Sequence, residues 1–179
     1  MHAPSTGRTT SPERSQSEAS GGSGGPGGPG ERIVVGVDGS APSQRAVTWA
    51  ADQAARRGAN LEIVSVWEPP DFGPEAYEYA PPGPDVDEAA VDEARRRAAG
   101  AAELARQVLP AEQVRTTVLC GGAAEVLVEK SKDADLLVVG SRGRGGFRGL
   151  LLGSVSQQCA GHASCPVVVV RSARTASAS

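Results

Sequence analysis

Five short segments, most of them rich in β-branched residues and three of them almost wholly apolar, recur along the chain and alternate with longer segments that suit helices. A short continuous apolar run is typical of a strand that is buried on both faces of a parallel sheet. Strands that alternate with helices predict an α/β fold, in which helices cover both faces of one open parallel sheet. The predicted strands are residues 32–37, 61–67, 114–119, 136–139 and 167–170.

Capping signals mark the helices between these strands. Ser40 is a predicted N-cap, and Gly58 predicts the end of the helix that Ser40 begins. A second helix is predicted at residues 86–108, and its arginine run at 95–97 is expected on a solvated face beside nearby acids. The predicted buried side of this second helix comprises Ala90, Ala94, Ala98, Ala101, Ala105 and Val108.

The two ends of the chain differ in composition from its middle. Residues 1–30 contain eight Gly, six Ser and four Pro but no Val, Ile, Leu, Phe, Tyr or Trp, so they bury too little apolar surface to offset the entropy of ordering. We expect a disordered tail at 1–30, a single domain at 31–171 and a second disordered tail at 172–179. Within the domain, residues 68–85 are rich in Pro and acids and predict a loop, either a solvated insertion or a lid over the ligand site.

Charge and composition exclude several classes of function. The net charge of −3 argues against general nucleic-acid binding, which needs a basic face. No apolar run approaches the length of a membrane span, and the first residues lack the apolar core of a secretory signal, so we expect a cytoplasmic protein without a membrane partner. Cys120, Cys159 and Cys165 form no Cys-x-x-Cys pair, which favours reduced, mostly buried thiols over a disulfide framework or a zinc site.

A glycine-rich loop follows the fourth predicted strand and leads into a segment that suits a helix. Strand, glycine loop and helix start form the context in which main-chain N–H groups close around a phosphate. Glycine lets the backbone approach a ligand closely. From Leu136 to Arg171 the chain has four arginines and no Asp or Glu, although the whole protein is acidic. This local positive field suits an anionic ligand.

The spacing of the loop, Gly140-x2-Gly143-x9-Gly153-Ser154, differs from two common phosphate-binding motifs. A Walker A loop requires a Lys after its second glycine, and no Lys lies here. The Gly-x-Gly-x-x-Gly dinucleotide motif also fails, because position 148 is Arg. A glycine-rich surface turn with scattered arginines is the alternative interpretation of the same stretch.

Asp38 is a lone carboxylate at the end of the first predicted strand. Ligands of open α/β sheets bind beyond the carboxyl ends of the strands, where the strand order reverses, so Asp38 and the glycine loop would face one crevice if the first and fourth strands are neighbours. There Asp38 would accept hydrogen bonds from ribose hydroxyls, help to hold Mg²⁺ through phosphates, or only cap the first helix. The sequence contains no Ser/His/Asp set and no pair of loop carboxylates, so we predict no catalytic residues.

Five motifs together resemble the universal stress protein family over about 140 residues. Each motif is weak alone, but the combination is specific. The motifs are Ile33-Val34-Val35-Gly36-Val37-Asp38-Gly39-Ser40, Gly121-Gly122-Ala123-Ala124-Glu125-Val126-Leu127, Ala134-Asp135-Leu136-Leu137-Val138-Val139-Gly140-Ser141-Arg142-Gly143, Leu152-Gly153-Ser154-Val155-Ser156 and Cys165-Pro166-Val167-Val168-Val169-Val170.

The resemblance implies a Rossmann-like sheet of five parallel strands in the order 3-2-1-4-5. The glycine spacing matches the family's ATP-binding pattern, and by the same resemblance Asp38 lies near the ribose and the backbone of Val66 meets adenine. Members of the family commonly dimerise through the last strand, here residues 167–170. The candidate nucleotide-binding residues are Gly36, Asp38, Ser40, Val66, Gly140, Ser141, Arg142, Gly143, Arg144, Gly145, Gly146, Gly153, Ser154, Val155 and Ser156.

We therefore expect an ATP-binding regulatory module of the stress response, homodimeric, with little or no intrinsic ATP turnover. One alternative is a stress protein that binds no nucleotide and acts through its dimer or partner surface. Another is an ATP-using enzyme of the related nucleotidyl transferase or pyrophosphatase kind. Such enzymes typically carry a Ser-Gly-Gly-x-Asp-Ser or His-x-Gly-His motif, and the sequence has neither.

Overall fold

The computed structural model of the protein describes residues 30–68, 85–143 and 152–171. Residues 1–29 and 172–179 of the expected tails, the loop at 69–84, and Arg144, Gly145 and Gly146 of the candidate site lie outside the described residues. Within the described ranges, no helix combines the length and the apolar character that a membrane crossing requires.

Strands and helices alternate along the described chain, as the sequence pattern predicts. The strands are β1 (Arg32–Val37), β2 (Asn60–Trp67), β3 (Val114–Cys120), β4 (Leu136–Gly140) and β5 (Val167–Val170). The helices are α1 (Ala41–Arg57), α2 (Asp85–Ala105), α3 (Ala123–Lys130) and α4 (Ser154–His162), with 3₁₀ turns at Ala111–Gln113 and Ser131–Asp133.

β1 lies at the centre of a parallel sheet with the order β3-β2-β1-β4-β5. This confirms the predicted α/β fold and strand order. β1 pairs with β2 on one side, where Val37 lies opposite Ser65, and with β4 on the other, where Ile33 lies opposite Leu136. Because the strand order reverses between β1 and β4, a crevice opens beyond their carboxyl ends.

Two apolar layers cover the two faces of the sheet. Side chains alternate along a strand, so the neighbouring β1 residues Val34 and Val35 belong to opposite layers. The first layer joins the sheet to alanine-rich stripes of α1 and α2, while Leu127 of α3 and Cys159 of α4 belong to the second. Burying one Val or Leu side chain stabilises a fold by about 1.5–3 kcal/mol, so these layers fix the strand ends that border the crevice.

The caps of α1 lie where the sequence predicts them, and the end of α2 does not. Ser40 is the N-cap of α1, and Gly58 follows the helix with a left-handed φ of 66°. α2 ends at Ala105, three residues before the predicted end. The turn that follows changes which side chain faces inward, so Val108 is 50% exposed and Leu109 is buried.

Glu62 places a buried carboxylate on one face of the sheet, where its side chain is 6% exposed. It accepts hydrogen bonds from Thr117 Oγ1 at 2.7 Å and Lys130 Nζ at 2.8 Å, and it pairs with Arg32. Burial by itself would raise the pKa of Glu62, but these hydrogen bonds and the neighbouring positive charges together lower it below its ordinary value. The cluster joins β1, β2, β3 and α3 near the amino ends of the strands, away from the crevice.

The three cysteines occupy different environments. Cys159 is buried, Cys165 is half-buried and Cys120 is exposed. Burial raises the pKa of Cys159 to about 11 and raises that of Cys165 as well. The expectation of mostly buried thiols therefore holds fully for Cys159, in part for Cys165 and not for Cys120.

Candidate functional site

A cavity of about 360 Å³ opens at the crevice beyond the carboxyl ends of β1 and β4. This volume falls within the range of small-molecule sites in proteins, about 300–1,000 Å³. Ten of the predicted site residues line the cavity. They are Gly36, Asp38, Val66, Gly140, Arg142, Gly143, Gly153, Ser154, Val155 and Ser156.

Asp38 links the end of β1 to the glycine loop. Its Oδ1 accepts a hydrogen bond from Ser40 N at 3.0 Å, so the carboxylate stabilises the turn that leads into α1. A Cβ on Gly143 would stand 2.5 Å from Asp38 Oδ2, so the carboxylate also lies directly against the loop. The side chain therefore supports the turn before α1, whose cap is Ser40, and it also lines the cavity.

Ser40 and Ser141 are predicted site residues that do not line the cavity. Ser40 Oγ accepts a hydrogen bond from Ser43 N at 3.3 Å, so it serves the helix cap, and Ser43 lines the cavity instead. Ser141 is buried and connects the surrounding elements, because its N–H donates to Val170 O at 2.8 Å and its carbonyl accepts from Gly153 N at 2.8 Å. Both residues shape the site from outside the cavity.

Two of the lining glycines lie where a side chain would crowd a neighbouring helix. A Cβ on Gly140 would stand 2.9 Å from Pro42 C and from Ser43 N in the first turn of α1. A Cβ on Gly36 would stand 2.7 Å from a methyl group of Leu127. Real Cβ atoms do not approach other atoms this closely, so these glycines let α1 and α3 come near the ends of β4 and β1.

The start of α4 lines the cavity. Gly153 is its N-cap and supplies no side-chain hydrogen bond. Ser156 Oγ donates to Ser141 O at 3.2 Å and to Gly153 O at 2.9 Å, which ties the first turn of α4 to the end of β4. The first N–H groups of a helix have no partner within the helix and carry partial positive charge, so this end of the cavity suits an anion.

The rest of the lining is mainly apolar, and sequence reasoning missed most of it. Val66 and Val155 were predicted. Seven further lining residues were not predicted: Val37, Ser43, Val64, Ala123, Leu127, Val139 and Leu152. The 121–127 motif contained a signal for Ala123 and Leu127, but a helix that packs across the strand ends cannot be located from spacing alone.

Two charged residues lie among the described residues that line the cavity, Asp38 and Arg142. Arg142 is exposed, so its guanidinium is accessible to a ligand. Across the described ranges, no three side chains of His, Cys, Asp or Glu gather into a metal-binding group. A divalent ion at Asp38 would therefore need further oxygen ligands from the bound molecule.

Arg97 is a further residue at this edge of the sheet. Arg95 and Arg96 are exposed, as expected, and pair with acids one turn earlier in α2. Arg97 is instead half-buried, and its Nη2 donates to the Val66 carbonyl at 3.4 Å. The sequence held no signal for this difference, because it depends on where α2 crosses β2.

Comparisons with known proteins converge on one family. The model of the universal stress protein family matches residues 30–171. A universal stress protein from Mycolicibacterium smegmatis is 42% identical over 141 residues, which cover 78% of this chain and 45% of the relative. The chain thus spans about half the length of the curated relatives that it matches.

Solved structures of the same family have the same fold. A universal stress protein crystallised in complex with cAMP is 30% identical, with a TM-score of 0.60 over 80% of this chain and 98% of that one. A universal stress protein from Archaeoglobus fulgidus, in complex with dAMP, has a TM-score of 0.58 at 21% identity over 78% of this chain and 97% of that one. At that identity, the second similarity supports the fold alone.

Proposed function

The chain belongs to the universal stress protein family, and from that premise we propose that its domain binds an adenine nucleotide, ATP foremost, in the cavity beyond β1 and β4. One observation carries the proposal. The cavity lining combines apolar side chains with a glycine-rich loop and the first turn of α4. A nucleotide has the same division, because its base is flat and largely apolar on its faces while its phosphates are anionic.

Three groups of lining residues support this proposal. Val64, Val66 and Leu127 would cover the base. Asp38, which lies beside Gly143, would accept hydrogen bonds from ribose hydroxyls. The first turn of α4 and the exposed guanidinium of Arg142 would receive the phosphates.

Two glycines of the lining also leave space that side chains would fill. A Cβ on Gly143 would enter the space beside the Asp38 carboxylate. A Cβ on Gly153 would face the main chain of Arg142 at 3.4 Å. Residues without side chains at these points leave room for a group that is bound by backbone N–H groups.

Magnesium belongs to the proposal as a companion of the phosphates. Asp38 is the one carboxylate among the described lining residues. Mg²⁺ commonly binds one or two carboxylates together with substrate phosphates and keeps several waters. Asp38 would therefore hold Mg²⁺ only with ATP present. The ion would partly offset the repulsion between the Asp38 carboxylate and the triphosphate.

We also propose that the domain regulates rather than turns over ATP. The charged lining that the structure describes consists of one carboxylate and one guanidinium. Hydrolysis of ATP needs groups that activate a water and stabilise the leaving group, and two charged side chains are few for both tasks. The cAMP complex of a 30% identical relative supports adenine-nucleotide binding and makes cAMP a necessary competitor in any test.

The decisive experiment has two parts. Nucleotide released by heat from freshly purified protein is identified by chromatography, and the stripped protein is then titrated calorimetrically with ATP, AMP, cAMP and GTP, with and without Mg²⁺. We expect bound or titratable adenine nucleotide, with ATP tightest and strengthened by Mg²⁺. If cAMP binds more tightly than ATP, cAMP is the ligand of the site. If no adenine nucleotide binds, the proposal is refuted.

The alternative function is a partner surface without a nucleotide. β5 forms an edge of the sheet, and each of its four valines is half-buried. We propose that two copies of the chain pair through Val167–Val170, whether or not the cavity is filled. If the titrations show no binding and the dimer persists, this surface becomes the leading candidate for function.

The cytoplasm, where ATP and reduced thiols coexist, is the proposed location.

A further inference from the structure

Arg97 differs from the two arginines that precede it. The side chains of Arg95 and Arg96 are 69% and 67% exposed and pair with acids three residues earlier. Arg97 is half-buried, and in the described part of the chain its guanidinium donates to two main-chain carbonyls. The acceptors are Glu93 O at 3.3 Å, within α2, and Val66 O at 3.4 Å, at the end of β2.

The Val66 carbonyl lies where the ladder between β1 and β2 stops. In a parallel sheet, the main-chain groups of successive residues point alternately to the two neighbouring strands. The Trp67 carbonyl accepts from Gly121 N on the β3 side, so the Val66 carbonyl points toward β1. The last paired residue of β1 is Val37, opposite Ser65. Val66 therefore faces the turn that follows β1, and Arg97 supplies the donor there.

Arg97 also packs against this turn. A Cβ on Gly39 would stand 3.3 Å from both Cγ and Cδ of Arg97. Gly39 has a φ of 81°, which turns the chain away from the ladder. In the same turn, Asp38 Oδ1 accepts from Ser40 N at 3.0 Å. The stem and the head of Arg97 thus contact the two segments that border the nucleoside end of the cavity.

We propose that Arg97 is a positioning residue of the nucleotide site: it takes the hydrogen-bonding position that β1 gives up, supports the Gly39 turn, and so holds Asp38 toward the ribose. The inference rests on the proposed function, in which Asp38 and Val66 contact the nucleoside. Without Arg97, the Val66 carbonyl is available to an N–H of the turn. The ladder would then extend by one residue, and Asp38 would leave its position beside the glycine loop.

The test uses recognition of the ribose hydroxyls as its readout, because a general loss of stability would not change it. Arg97→Met keeps the apolar stem and removes every donor, whereas Arg97→Lys keeps the charge without the planar fork. Arg96→Met is the matched control on the exposed face. Affinities for ATP and for 2′,3′-dideoxy-ATP are measured on the full chain by calorimetry.

In the wild-type protein we expect ATP to bind about tenfold or more tighter than the dideoxy analogue, as for a hydrogen bond to a charged group. In Arg97→Met this ratio should fall towards one, and Arg97→Lys should recover only part of it. Arg96→Met should keep the wild-type ratio, and all three variants should melt within about 3 °C of the wild type. A wild-type ratio in Arg97→Met would overturn the inference, and so would an equal loss of the ratio in Arg96→Met.

Asp38→Asn separates this inference from the proposed function. If that change removes the discrimination while Arg97→Met retains it, the site stands and only the role of Arg97 fails. If Asp38→Asn leaves the discrimination intact, or if the wild type binds no ATP, the proposed ribose contact fails and the inference fails with it. The double variant should lose no more discrimination than Asp38→Asn alone, because both changes act on one contact.

Discussion

Gly143 and Asp38 touch across the crevice: a Cβ on Gly143 would lie 2.5 Å from Asp38 Oδ2. The two residues are separated by more than 100 positions in the sequence, yet both lie at carboxyl ends of neighbouring central strands. The contact joins the turn after β1 to the loop after β4. It explains how a substitution in the glycine loop can affect a carboxylate on another element.

Gly143→Ala should therefore weaken ATP binding by about tenfold or more, because the new methyl group displaces the Asp38 carboxylate and its hydrogen bonds to the ligand. The melting temperature should stay close to that of the wild type, since the group that must move is a half-buried side chain. Gly153→Ala is the comparison, because its Cβ would find neighbours only at the ordinary distance of 3.4 Å or more. Equal losses of ATP affinity in the two variants would show that the contact with Asp38 is not the cause.

Gly143→Val and Gly153→Val introduce larger side chains, so each should abolish ATP binding while the fold is retained.

Gly140→Ala should instead lower the stability of the fold. The new Cβ would meet the main chain of Pro42 and Ser43 at 2.9 Å, and a backbone that begins a helix cannot easily yield. Overpacking of this kind costs about 1–3 kcal/mol of the free energy of unfolding, measurable by urea denaturation. Gly100→Ala is the matched control, because Gly100 is an exposed residue of α2 with open space at its Cβ. That change should stabilise the protein by about 0.5–1 kcal/mol; a loss of stability there would count against the explanation.

Glu62 should make the stability of the protein sensitive to acid. Its folded-state pKa is lowered from an ordinary value of 4.5, so its contribution to stability is complete above that value and is lost as the pH falls below it. Glu62→Gln should cost about 2 kcal/mol at neutral pH, because it breaks buried ion pairs whose partners are partly solvated.

The pH profile of unfolding free energy checks this expectation. Glu62→Gln should flatten the fall in stability below pH 4.5, whereas Glu103→Gln, at a side chain 75% exposed, should leave both the profile and the neutral-pH stability nearly unchanged. An unaltered acid slope in Glu62→Gln would mean that other carboxylates control it.

Val169→Pro should prevent pairing of two copies through β5. The Pro166 and Val170 carbonyls accept from β4, so the main-chain groups of Val169 point away from the sheet. Proline there removes an outward N–H without breaking the β4 ladder. We expect a dimer for the wild type and a folded monomer for the variant by light scattering. Val168→Pro should unfold or destabilise the edge instead, and a dimeric Val169→Pro variant would exclude pairing of β5 edges.

Much of the fold could be predicted from local pattern. Short β-branched runs and alanine-rich segments differ in period and composition, and the cap signals at Ser40 and Gly58 specify α1 by chemistry that involves only neighbouring residues. The end of α2 was misjudged because burial of Leu109, rather than Val108, depends on the direction of the turn after the helix. No property of the α2 sequence alone contains that direction.

The amino-acid order was enough to predict which residue types stand at the strand ends, including Asp38, the glycine spacing and Ser154, because parallel strands place all their carboxyl ends at one edge. Tertiary structure alone decided how these residues are used. Gly140 serves packing against α1, Ser40 serves a helix cap, and Arg97 reaches the Val66 carbonyl from another helix. The physical reason is that patterns along a chain encode the direction of side chains relative to their own element. Distances between elements arise only when the two apolar layers close on the sheet.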